Sequence, residues 1–62
     1  MKITEALEKI KSTNMRITRE NWYCYNLSFS RDGYLTLRHG NAELTPYVLS
    51  EYDFNYDWEI QE

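Results

Sequence analysis

Cys24 and His39 are the only cysteine and the only histidine in the chain. They are the residue types of a nucleophile and its base. No motif joins them, and the alternation around Cys24 places it within a strand, so the expectation is an inert, buried or half-buried thiol. Asp53 and Asp57 lie four apart, with Glu51 and Glu59 beside them. Paired carboxylates serve acid–base work or hold metals. Here Ser50-x-x-Asp53 has the form of a capping box, which gives Asp53 a capping role, and Asp57 beside Trp58 suits an acceptor for backbone or indole N–H groups. One cysteine and one histidine fall short of the four ligands of a structural zinc site. Gly33 and Gly40 look like turn glycines, not a phosphate loop. The residues therefore point to no catalysis, no metal and no cofactor.

Binding chemistry has more material. Trp22, Tyr23, Tyr25 and Tyr34 offer flat π faces, and Arg16, Arg19 and Arg38 offer forked donors. Together they suit a ligand with a base to stack and a phosphate to hold. The same residues serve equally as sheet core, interface and rim, with the arginine stems lying on apolar surface. Arg19 stands three residues before Trp22, where a helical pattern has given way to a strand pattern. The second tryptophan, Trp58, closes the chain. The expectation is that these two ends meet and that any binding site lies along their seam.

Several elements must position these residues. Ile3, Leu7 and Ile10, with Ala6, mark an amphipathic helix over residues 3–13. Thr4 is its expected N-cap. Lys9 and Lys11 sit near its C-terminal end, and Asn14 closes it in a left-handed conformation. About three turns are not stable alone, so the helix must pack on a sheet. Met15–Arg19 alternates as a short strand. A second strand runs from Trp22 or Tyr23 to Ser30, with Tyr23, Tyr25, Leu27 and Phe29 expected on the core face and Trp22, Cys24, Asn26 and Ser28 on the other. Arg31-Asp32-Gly33 is a hairpin turn, Tyr34–Arg38 the returning strand, and His39-Gly40-Asn41 a second turn. A further strand covers Glu43–Thr45 or Tyr47–Leu49, with Pro46 requiring an edge. Residues 50–55 form one helical turn, and residues 57–61 a last strand carrying Trp58 and Ile60. The fold class is α+β in one domain, residues 1–62: an N-terminal helix packed on a small antiparallel meander, with a short helical turn before the last strand.

Size and charge narrow the partners. A chain of 62 residues buries only about 60% of its unfolded surface and usually needs a staple. An internal disulfide and a structural zinc site are excluded by the Cys and His counts, which leaves self-association as the expected support. Ten aromatic residues (six Tyr, two Trp, two Phe) suit that reading, since Tyr and Trp favour interfaces. No apolar run approaches the roughly 20 residues of a membrane span, no apolar signal core opens the chain, and a lone thiol suits a reducing compartment. A cytoplasmic location is expected. All seven Lys/Arg fall in residues 1–38 against four acids, while residues 39–62 hold six acids and no Lys/Arg. That acidic C-terminal third argues against a nucleic-acid partner, which needs a basic face.

The two ends resemble a known family. Ile3-Thr4-Glu5-Ala6-Leu7, a short helix and a strand into Arg19-Glu20-Asn21-Trp22 resemble the opening of the phage anti-Thoeris sponge proteins of the second type. The closing Ser50, Asp53, Asp57, Trp58 and Glu59 are similar to the family's Ser-x-x-Asp and Asp-Trp-Glu ending. Asn21 stands where the family has Gly, Tyr23 where Asn is common, and the family's long middle segment is reduced to the hairpin Tyr23–Arg38. The resemblance implies a helix-plus-meander fold that assembles as a homo-oligomer, a dimer or tetramer. It implies capture of a cyclic nucleotide-derived immune signal between protomers, without cleavage. On that reading Trp22 walls the pocket, Arg19 helps to fix it and Asp53 lines or braces it. The full expected ligand-binding set is Arg19, Trp22, Tyr23, Asn26, Arg38 and Asp53. The competing expectation is a small acidic inhibitor whose segment Glu51–Glu62 binds a basic surface of a host defence or nucleic-acid-binding protein.

Overall fold

A computed structural model describes residues 1–61. The N-terminal helix α1 spans Ile3–Ile10 and turns Ile3, Ala6 and Ile10 fully inward. These positions fall on one helical face. Burying an isoleucine side chain contributes about 1.5–3 kcal/mol, and this holds a helix too short to persist alone. The N-cap is Lys2, not Thr4, and it makes no side-chain cap. Thr4 lies inside the first turn. At the other end Ser12, not Asn14, takes the left-handed backbone, with φ 64°. Lys11 is already extended, and Thr13 N donates to Ile10 O at 3.0 Å. This matches a type II turn with serine at the position that glycine favours. Thr13 Oγ1 donates to the same carbonyl at 2.7 Å. The helix thus ends at Ile10 because the turn, backed by that hydroxyl, takes over its last carbonyl.

Strands β1 (Arg16–Arg19), β2 (Tyr25–Phe29), β3 (Leu35–His39), β4 (Ala42–Pro46) and β5 (Trp58–Gln61) form one antiparallel sheet in the order β4-β3-β2-β1-β5. The meander supplies four strands, and β5 returns to the free edge of β1. The link from β4 to β5 crosses on the helix side. It packs Tyr47 and Leu49 against the core and carries the short 3-10 turn Glu51–Asn55. Cross-strand register makes one apolar row. Ile17 faces Leu27 and Ile60, and Leu27 faces Leu37. This row, α1 and Trp58 are the core. The edge strand β4 is exposed throughout and accommodates Pro46 where no further ladder bond is needed. Among the described residues no helix is long and apolar enough to cross a membrane.

The opposite face of the sheet is polar, yet Thr18, Asn26, Ser28 and Thr36 on it are buried. The long side chain of Arg16 accounts for part of this. It reaches from β1 to the β3–β4 turn, donating to Gly40 O at 2.9 Å. Asn26 Nδ2 donates to the same carbonyl at 3.3 Å, and Arg38 donates to Asn41 O at 2.7 Å. Three side chains from three strands therefore tie down one turn. Gly40 supplies its positive φ of 58°.

Candidate functional site

Two turns in succession set the site. Trp22 N donates to Arg19 O at 3.1 Å, and Tyr25 N donates to Trp22 O at 2.6 Å. Asn21 and Tyr23 both have positive φ, at 72° and 38°. Asparagine tolerates that region; a bulky tyrosine there is an outlier. The pair breaks the strand parity expected from residue 22 onward. Trp22 swings to the core side, where its ring meets Trp58 edge-on at 5.0 Å and Tyr47 at 6.0 Å. Tyr23, expected inward, is 89% exposed, and Tyr25 is exposed too. Cys24 lies in the turn rather than mid-strand, and its thiol is exposed, correcting the buried expectation.

Arg19 and Trp58 are paired neighbours of β1 and β5. The Arg19 guanidinium carbon lies 3.7 Å from the Tyr56 ring centroid, 4.7 Å from Trp22 and 5.5 Å from Trp58. Three rings surround one cation, each contact contributing about 0.5–2 kcal/mol according to how dry it is. Arg19 Nε is buried without a hydrogen-bond partner among the described residues. The ring faces stand where oxygen acceptors ordinarily would. Tyr56, 43% exposed, leaves the cluster open to solvent on one side.

Behind the rings lies a carboxylate already in use. Asp53 is 1% exposed. It accepts Tyr47 Oη–H at 2.9 and 3.1 Å and Ser50 N–H at 2.8 Å, the second being the carboxylate half of the capping box. The Asp53 carbonyl accepts Trp58 Nε1–H at 2.9 Å. Its side chain and backbone thus fix Tyr47, Ser50 and Trp58 together. Burial pushes the Tyr47 phenol up to about 12; the hydrogen bond to Asp53 and its charge add to this, and the Arg19 charge opposes it.

The structure brings together Arg19, Trp22 and Asp53 of the expected set. Tyr23 projects away on the adjoining turn. Asn26 and Arg38 lie on the polar face, opposite each other on β2 and β3, within the clamp on Gly40 and Asn41. They do not converge with Arg19. Arg38 also pairs with Glu43 at 3.2 Å. Tyr56 and Tyr47 are the members the sequence reading missed. Tyr56 had a usable signal: it stands two residues before Trp58, on the side facing Arg19 once that pairing is known. Tyr47 had none, because its partnership with Asp53 depends on how the crossing segment folds back. Among the described residues, no group of three or more His, Cys, Asp or Glu side chains is arranged to hold a metal ion. No known protein family, curated protein or solved structure matches this chain.

Proposed function

We propose that this protein is a binding protein of the anti-defence sponge type: it sequesters a cyclic nucleotide-derived immune signal without cleaving it. The observation that carries the reading is the Arg19 cluster. A guanidinium is held over Tyr56 and beside two tryptophans at an open edge, and its buried Nε has no hydrogen-bond partner among the described residues. The backbone around Trp22 is strained at Asn21 and Tyr23, and such strain concentrates at functional sites. Aromatic faces take a base and the guanidinium fork takes a phosphate. Asn21 at positive φ is compatible with the glycine of the sponge motif it resembles.

The mechanism is equilibrium capture in the host cytoplasm. A useful sponge needs nanomolar affinity, about −12 kcal/mol. One chain supplies a single wall of the site, so a second copy completes the enclosure. The test is to incubate the protein with a panel of cyclic nucleotides, remove unbound ligand, heat the protein and identify what is released. Intact ligand is the expected result. No capture across the panel overturns the reading, and chemically altered ligand replaces it with an enzyme.

A second reading has its own observation. Val48, Tyr52 and Phe54 are exposed in the same stretch as Glu51, Asp57 and Glu59. An aromatic strip edged by acids suits a basic protein partner; Glu62 of that acidic segment lies outside the described residues. This reading requires a host protein that co-purifies and is lost when Asp57 and Glu59 are neutralised. Asp53 does not belong in that test, because it is buried and bonded.

A further inference from the structure

We infer a second, separate ligand site for a small aromatic phosphate monoester, in the cavity between the end of α1 and the β2–β3 turn. The cavity measures about 510 Å³, within the range of small-molecule sites, and is lined by Lys11, Ser12, Asn14, Phe29, Arg31 and Glu43 among others. It lies at the Arg16–Gln61 end of the β1–β5 pair, whereas the Arg19 cluster lies at the Arg19–Trp58 end.

The lining divides into used and unused groups. Thr13 Oγ1 donates to Ile10 O and accepts Met15 N–H. Ser30 Oγ accepts Tyr34 N–H. The Glu43 carboxylate is engaged by Arg38 at 3.2 Å. Among the described residues the salt bridges are Met1–Asp57 and Arg38–Glu43, so Lys11 and Arg31 contribute two positive charges that no carboxylate pairs. Phe29, half-buried against the core, supplies a flat apolar wall. Ser12 is held in left-handed backbone at the rim. A dianionic phosphate between the lysine and the arginine, with a ring against Phe29, uses what the fold leaves unpaired. Phosphate alone lacks the ring contact, and an uncharged phenol lacks the charge.

The experiment is an amide NMR titration with phenyl phosphate, with inorganic phosphate and phenol as parallel probes. Phenyl phosphate is expected to shift residues 11–14 and 29–33, with saturation near about 1 mM. Inorganic phosphate is expected to bind at least about tenfold more weakly, and phenol to produce no shift there. Arg31→Glu and Lys11→Glu, both surface changes, each weaken phenyl phosphate by about tenfold or more while the remaining spectrum is retained. Absence of localised shifts with phenyl phosphate, unchanged binding in Arg31→Glu, or shifts confined to residues 19, 22, 56 and 58 would each overturn the site. Arg19→Lys leaves this titration unchanged, which separates it from the sponge reading.

Discussion

Trp22 and Trp58 meet edge-to-face with ring centroids 5.0 Å apart. Trp22 hangs from a strained turn, while Trp58 lies on a regular strand beside Arg19. The contact joins the β1–β2 turn to the last strand, and the Trp58 indole N–H ties that strand to the crossing segment at the Asp53 carbonyl.

Trp58 is therefore the side chain whose loss is felt most. It is 1% exposed, and its indole N–H is bonded to the Asp53 carbonyl. Trp58→Ala is expected to cost about 3–5 kcal/mol. A domain of this length has about 3–9 kcal/mol in total, so the variant should be largely unfolded by circular dichroism at 25 °C. A cooperative urea transition close to that of the parent protein would contradict this account.

Tyr47 makes stability fall at high pH. Its phenol is raised from 10.0 to about 12 in the folded protein. The folded state thus keeps this proton longer than the unfolded chain does. The resulting stabilisation is fully present below about pH 10 and is lost as pH rises through about 12. Tyr47→Phe removes it and leaves Asp53 short of one donor, costing about 1–3 kcal/mol near neutral pH. Urea midpoints for both proteins from pH 9 to pH 12 check the sign: the gap between them should narrow over that window, and a constant gap rules it out.

Two substitutions probe backbone strain. Ser12→Gly places glycine at φ 64° and should raise stability by about 1 kcal/mol, a rise in Tm of about 4–8 °C. Asn21→Val puts a β-branched residue at φ 72° and should lower stability by about 1–2 kcal/mol. It should also change Trp22 fluorescence. Melting curves without these opposite shifts would show that the two positions carry no strain.

Arg19→Lys separates charge from shape. A lysine keeps a cation near the rings but loses the planar fork. The protein should stay folded, while capture of a cyclic nucleotide in the release assay should fall about tenfold or more. Undiminished capture would remove Arg19 from the site.

The amino-acid sequence by itself determined the α+β class, the helix face, both glycine turns, the edge position of Pro46 and the Ser50–Asp53 cap. Each of these is local: periodicity, positive φ, a missing N–H, or a side chain three residues from its partner. It also foretold that the two tryptophan ends would meet. The tertiary structure alone decided how the candidate site divides. Two positive φ angles around Trp22 reversed the face that strand alternation assigned to it. The pairing of β5 with β1 put Arg19 beside Trp58 and, with Tyr56, among three rings. Asn26 and Arg38 looked like ligand donors because residue type does not reveal which carbonyl is in reach. The fold placed the Gly40–Asn41 turn against them, and they hold it instead.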